Sequence, residues 1–196
     1  MSKKIKEFAG NFYPDQYKKD SKLDINHNYL LEQFSDHDEI LSKIKEVVIR
    51  GDFTLGSIVD EVEEEYAKLC GTKHAIGVGS GTDALMLSLK CLNVKEGDEV
   101  ITTVFTCTAT NIPLLYMGIK IKFADIEIDT MNISIESVKK LITKKTKAIV
   151  CVHYGGLPCE MDELKKIAKK NKITLIEDAA HALGARYNNK PVGSLC

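Results

Sequence analysis

A glycine-rich stretch that leads into a helical segment could bind a phosphate group. Residues 77–85 read GVGSGTDAL, so small residues form a turn before the predicted helix. The free N–H groups of a helix start and the positive end of its dipole favour an anion, and the hydroxyls of Ser80 and Thr82 are further donors. The stretch lacks the third glycine of the dinucleotide fingerprint and the lysine of a P-loop. We interpret it as a site for a single phosphate, although an ordinary glycine-rich turn has the same composition.

A second stretch carries a carboxylate to the end of an apolar segment. Residues 173–181 read ITLIEDAAH, which places Asp178 at a predicted strand end and His181 three residues later. A buried carboxylate needs a cation, and the ring nitrogen of a pyridoxal ring would be one. An Asp there keeps the nitrogen protonated, so that the ring withdraws electrons from a carbanion on the attached carbon. A helix N-cap for Asp178 and a core position for His181 are the alternatives.

Two further stretches place polar groups after apolar strands. Residues 102–111 read TTVFTCTATN, and hydroxyls this dense suggest a ligand-lined site, although this stretch taken by itself favours a Thr-capped helix. Residues 152–156 read VHYGG, where His153 either lines a site or packs beneath it.

The order of short strands and helices predicts how these stretches are positioned. Crossover helices imply mostly parallel strands that are covered on both faces, so we predict an α/β fold, a three-layer and mostly parallel sheet with helices on both faces. Ligands of such sheets collect outside the carboxyl ends of the strands, which is where all four stretches lie. The strands are predicted at 74–78, 99–103, 120–126, 148–153 and 173–177, and the helices between them at 82–92, 108–117, 134–142 and 161–170.

The N-terminal part has a different pattern. Residues 1–36 are polar and without a clear period, so we predict an arm. A helix is predicted from Ser35 or Asp36 to Gly51, since apolar residues between 40 and 48 share one helical face. A second amphipathic helix follows, with its acidic residues between 61 and 65 on a solvated face.

Composition excludes several classes of protein. The 196 residues are 44% hydrophobic and 28% charged, which is typical of globular proteins and not of disordered, collagenous or disulfide-dense chains. With 27 basic and 28 acidic residues, the chain has no general attraction to nucleic acid. No run of 18 apolar residues is present, so we expect no membrane partner and a cytoplasmic location.

The six cysteines include no CxxC pair and indicate reduced thiols. The spacing of Cys151, His153 and Cys159 matches no usual zinc cluster, so we predict no metal site.

Taken together and in this order, the motifs resemble the large domain of the DegT/DnrJ/EryC1/StrS family of sugar aminotransferases. The resemblance rests on GDFTLG at 51–56, SGTDAL at 80–85, the strand at 147–156 and IEDAAH at 176–181, and it extends from about residue 35 to the last residue. It implies the type I aminotransferase fold. Residues 1–36 would then be an N-terminal arm and residues 37–196 an incomplete domain that binds pyridoxal 5'-phosphate, with the small C-terminal domain absent.

The resemblance also implies roles for individual residues in binding the cofactor. The helix start would bind its phosphate, an aspartate would pair with its pyridine nitrogen, and a histidine would lie near its ring hydroxyl. Many relatives stack an aromatic ring on the cofactor at a position that is a cysteine here, so we expect weaker stacking without loss of binding. The implied residues, in that order, are Gly81, Thr82 and Asp83, then Asp178, His181 and Cys107.

No catalytic residue is assigned. In the family, the lysine that forms the Schiff base follows the segment that Val192–Ser194 matches, and no lysine of this chain, including Lys190, has that context. We therefore expect an N-terminal portion of an aminotransferase that is inactive by itself.

The function implied by the resemblance is amination of a nucleotide-linked keto sugar in amino-sugar biosynthesis. The amino donor would be an amino acid, usually glutamate, and the enzyme a homodimer with active sites at the subunit interface. Two alternatives stay open: a sugar dehydratase in which histidine replaces the lysine, and a binding protein that keeps the fold without catalysis. The codons that follow Cys196 would separate them. A nicotinamide-dependent dehydrogenase is disfavoured because the dinucleotide fingerprint is incomplete.

Overall fold

A computed structural model describes residues 30–51 and 53–196, which divide into two units on either side of the Leu55–Gly56 bond. Most of the predicted arm lies outside the described residues. The first unit contains a short helix, α1 (Leu30–Gln33), and the predicted helix, α2 (His37–Arg50). Helix α2 ends at Gly51, which has a φ of 70° and donates its N–H to the carbonyls of Val47 and Val48. Glycine suits this left-handed position because it has no Cβ.

The second unit is built on a four-stranded parallel sheet. Its strands are β1 (Glu99–Thr103), β2 (Lys120–Ala124), β3 (Thr146–Val152) and β4 (Thr174–Asp178). They are arranged in the order β2-β1-β3-β4, and every neighbouring pair is parallel. The carboxyl ends of all four strands therefore meet at one edge of the sheet, as predicted.

Helices connect the strands at nearly the predicted positions. Five α-helices lie in this unit, together with a 3-10 turn at Tyr154–Gly156 that follows β3 and an unpredicted antiparallel pair, β5 (Arg186–Tyr187) and β6 (Lys190–Pro191). None of the helices in the described part of the chain is both long and apolar enough to cross a bilayer. The five helices are α3 (Ser57–Cys70), α4 (Gly81–Cys91), α5 (Thr108–Tyr116), α6 (Ile135–Leu141) and α7 (Met161–Asn171).

The core consists of two apolar layers, one on each face of the sheet. Successive residues of a strand point to opposite faces, so Val100 and Ile101 belong to different layers. Val100 packs in one layer with Leu89 of α4 and Leu114 of α5. Ile101 packs in the other layer with Val138 of α6 and Leu164 of α7. Helices thus cover both faces, which confirms the predicted three-layer α/β fold.

The strand predicted at 74–78 is wrong. Within the described residues this segment has no regular secondary structure and pairs with no strand, and Ile76 is 81% exposed. The N–H of Gly77 instead donates to Glu63 Oε1 of α3 at 2.6 Å. Alternating apolar residues suit a strand, but a strand forms only where a second backbone supplies hydrogen-bond partners.

Candidate cofactor site

The start of helix α4 presents unpaired backbone donors. The Ser80 hydroxyl oxygen accepts the N–H of Asp83 at 3.1 Å and donates its own proton to Asp83 Oδ2 at 2.8 Å. This capping pair leaves the N–H groups of Gly81 and Thr82 without an acceptor among the described residues. A Cβ added to Gly81 would meet no atom within 4 Å, so there is open space beside these donors. The geometry suits an anion such as a phosphate.

A cavity of about 410 Å³ joins this helix start to the carboxyl end of β4. That volume lies within the range of small-molecule sites, roughly 300–1,000 Å³. Four of the six residues predicted to bind the cofactor line it, whereas Thr82 and Asp83 adjoin it through the first turn of α4. The four lining residues are Gly81, Cys107, Asp178 and His181, and the other lining residues include Leu85, Thr106, Thr110 and Ala180.

Asp178 is held in the cavity by two neutral donors. Its Oδ2 accepts the hydroxyl of Thr110 at 2.7 Å, and its Oδ1 accepts the N–H of Ala180 at 3.2 Å. Among the described residues no Lys, Arg or His forms an ion pair with this carboxylate. Its charge is therefore available to a cationic ligand, as a protonated pyridine nitrogen would be.

His181 follows Asp178 and is positioned by the turn after β3. The N–H of Gly155 donates to His181 Nδ1 at 3.4 Å, which favours the neutral tautomer with the proton on Nε2. The imidazole also meets the Tyr154 ring edge to face, with the ring centroids 5.8 Å apart. His181 lines the cavity, and its Nε2–H group has no acceptor among the described residues.

Cys107, the position at which the family resemblance implies an aromatic ring, is exposed in the cavity. Cys107 lines the cavity and precedes α5. The nearby Phe105 ring packs instead against Tyr154, with centroids 4.4 Å apart. At this position the cavity is therefore lined by a cysteine and not by an aromatic ring.

His153 lies beneath the cavity and does not line it, which answers the question that the sequence left open. Its side chain is fully buried, Nδ1 accepts the N–H of Cys159 at 3.0 Å, and Nε2 lies 3.1 Å from Glu177 Oε2. Because Nδ1 accepts a hydrogen bond, the ring carries its proton on Nε2 and donates it to Glu177.

Glu177 is an organising residue that the sequence analysis missed. Its carboxylate also accepts the N–H groups of Gly193, Leu195 and Cys196 at 2.9, 2.7 and 3.0 Å. Burial raises the pKa of the Glu177 carboxyl, but the hydrogen bonds from His153 and from the backbone outweigh it and lower the pKa to about 2. An ionisable residue inside an otherwise apolar strand was the signal that could have identified it.

Comparisons with known proteins place the chain in a family. The model of the DegT/DnrJ/EryC1/StrS aminotransferase family matches residues 35–196. UDP-N-acetyl-3-dehydro-alpha-D-glucosamine 3-aminotransferase of Acidithiobacillus ferrooxidans is 41% identical over 157 residues, which are 80% of this chain and 42% of that protein.

Solved structures agree with this assignment. The aminotransferase from Psychrobacter cryohalolentis superposes with a TM-score of 0.76 at 37% identity, over 78% of this chain and 39% of that one. The GDP-4-keto-6-deoxy-D-mannose-3-dehydratase of E. coli, solved with bound hydrated pyridoxal phosphate, gives a TM-score of 0.73 at 39% identity, over 78% of this chain and 41% of that one. The chain spans about two fifths of the length of these relatives. It belongs to the DegT/DnrJ/EryC1/StrS aminotransferase family, whose members are pyridoxal-phosphate-dependent and have the type I fold.

Proposed function

We propose that residues 56–196 form the cofactor-binding part of a pyridoxal-phosphate-dependent aminotransferase that acts on a nucleotide-linked keto sugar. One observation carries the proposal: Asp178, without a cationic partner in the described chain, faces the same cavity as the unpaired N–H groups of α4. A ligand with a phosphate at one end and a protonated ring nitrogen at the other satisfies both groups. When bound, pyridoxal phosphate supplies an electron sink for negative charge on the carbon beside the amino group.

Each of the six residues predicted to bind the cofactor has a defined task in this proposal. The N–H groups of Gly81 and Thr82 bind the phosphate, and Asp83 fixes the cap that presents them. Asp178 holds the proton on the ring nitrogen, and His181 donates Nε2–H to the ring hydroxyl. Cys107 packs against the face of the ring and excludes water from it.

Binding of pyridoxamine 5'-phosphate tests this arrangement. This probe has the phosphate, the ring nitrogen and the hydroxyl but no aldehyde that would react with surface lysines. We expect calorimetric titration of the chain to show binding that Asp178→Asn weakens by about ten- to hundred-fold, since a hydrogen bond to a charged group contributes ~1.5–3 kcal/mol. Asp129→Asn is the matched control because it neutralises an exposed carboxylate outside the cavity.

Two results would contradict the cofactor site. One is an unchanged dissociation constant in the Asp178→Asn chain. The other is equally tight binding of pyridoxamine without its phosphate, because the start of α4 would then contribute nothing to the affinity.

The substrate class is supported by the named A. ferrooxidans relative, an aminotransferase of a nucleotide-linked dehydro sugar. Glutamate as the amino donor and a homodimeric assembly complete the proposal, following the family resemblance. The longest translated product that contains this chain should transfer nitrogen from amino-labelled glutamate to a nucleotide-linked keto sugar. Mass spectrometry of the sugar product would detect the label.

A sugar dehydratase is the second candidate, and the similarity to the E. coli 3-dehydratase structure favours it. A dehydratase removes a hydroxyl group and leaves no nitrogen on the sugar. In the same labelling experiment, a product that has lost water and carries no label would therefore identify the dehydratase.

A further inference from the structure

We propose that Thr110 is a positioning residue that orients the Asp178 carboxylate toward the ring nitrogen of the cofactor. The inference rests on the proposed function, because it concerns the same cavity. It assigns a role to a residue that is neither in the phosphate loop nor on the strand that carries Asp178.

The hydrogen bond between the two residues has a fixed direction. An ionised carboxylate only accepts, so the Thr110 hydroxyl donates to Asp178 Oδ2 over 2.7 Å. The Thr110 oxygen lies 2.8 Å from the hydroxyl of Thr106, which must then donate its own proton to Thr110. The two hydroxyls form a short relay that ends on Asp178.

The relay leaves Asp178 little freedom to rotate. The Thr110 side chain is 2% exposed and belongs to the first turn of α5, so helix packing restrains its position. The N–H of Ala180 holds the other carboxylate oxygen. With both oxygens anchored on protein donors, the remaining lone pairs keep one orientation in the cavity. The carboxylate is thus ordered before the ligand arrives, which reduces the entropic cost of binding.

The chain supplies a matched control for the loss of a buried threonine hydroxyl. Thr102 lies on β1 and is fully buried, and its Oγ1 has no hydrogen-bond partner in the described part of the protein. Thr102→Val and Thr110→Val make the same chemical change in side chains of equal size. Only the second removes a bond to Asp178.

The test measures binding of two probes by calorimetry. One is pyridoxamine 5'-phosphate, and the other is its analogue with carbon in place of the ring nitrogen. We expect Thr110→Val to weaken binding of the first by about ten-fold, equivalent to ~1.4 kcal/mol, and to leave binding of the analogue within about two-fold. Thr110→Ser, which keeps the hydroxyl, and Thr102→Val should bind both probes like the unchanged chain.

Other outcomes distinguish failure of the Thr110 proposal from failure of the cofactor site itself. Equal weakening of both probes by Thr110→Val would show a merely structural role and overturn the proposal, as would unchanged binding of pyridoxamine 5'-phosphate. Thermal unfolding followed by circular dichroism checks that the variants fold, and Thr110→Ala replaces the valine variant if that one does not. If the unchanged chain binds neither probe, or does not discriminate between them, the proposed cofactor site itself is refuted, and the role of Thr110 falls with it.

Discussion

Replacing Glu177 by Gln is expected to destabilise the fold, because the carboxylate is a hub of four hydrogen bonds. It accepts from His153 and from the backbone N–H groups of Gly193, Leu195 and Cys196, and its side chain is 4% exposed. Gln has one acceptor oxygen and one NH₂ donor. Whichever way the amide turns, its NH₂ faces N–H groups that have lost their acceptor.

The size of the effect follows from the lost hydrogen bonds and can be expressed in two ways. A buried donor left without its partner costs ~1–3 kcal/mol, so two of them cost about 2–6 kcal/mol. The depression of the Glu177 pKa from 4.5 to about 2 corresponds to about 3 kcal/mol at ~1.4 kcal/mol per pKa unit. A loss of about 3 kcal/mol lies within the first range and matches the second value, and it would lower Tm by roughly 6–12 °C in a domain of this size.

Urea unfolding followed by circular dichroism would measure this loss. The matched control is Glu136→Gln, which removes the same charge from an exposed i, i+3 pair with Lys139. Solvent screens an exposed pair, so the control should change the free energy of unfolding little. A loss below about 1 kcal/mol in the Glu177→Gln chain would refute the argument.

The pH dependence has a defined sign. A carboxyl whose pKa is lowered in the folded state binds fewer protons there than in the unfolded chain, so its stabilisation is full above pH 4.5 and is lost as the pH falls toward 2. The difference in unfolding free energy between the unchanged chain and Glu177→Gln should therefore shrink over that range. A difference that stays constant between the two pH values would show that the Glu177 charge is not its source.

Two further substitutions test the site. Cys107→Phe places an aromatic ring in the cavity, so pyridoxamine 5'-phosphate should bind more tightly by ~0.5–1.5 kcal/mol in calorimetric titration. Unchanged or weaker binding would argue against contact between residue 107 and the cofactor ring. Gly156→Ala should destabilise the chain more than Gly97→Ala in thermal unfolding. Both glycines have φ above 80°, so alanine is strained at either position. Only at Gly156 would the new Cβ also lie 3.0 Å from the His181 carbonyl oxygen. If the two substitutions lowered Tm equally, that close contact would be ruled out as a cause.

The motifs that could be read from the sequence are those whose chemistry is local. A helix start such as Ser80–Asp83 is recognisable because its cap, its free N–H groups and its dipole are made by neighbouring residues. The strand that ends at Asp178 was predictable for the same reason, since an apolar run and a terminal carboxylate are adjacent in the chain. The prediction failed at 74–78, where the local pattern was that of a strand but the pairing partner was not a local property.

The sequence by itself therefore determined the class of fold, the positions of the four strands of the parallel sheet and of the helices between them to within a few residues, and the stretches that carry polar groups to one edge of the sheet. Only the tertiary structure decided which of those groups act together. Thr110 and Asp178 are 68 residues apart in the chain, and His153, which follows β3, meets Glu177 of β4 across 24 residues. Hydrogen bonds depend on distances of about 3 Å and on direction, and such distances between remote residues follow from the packing of the sheet and its helices, not from the order of residues along the chain.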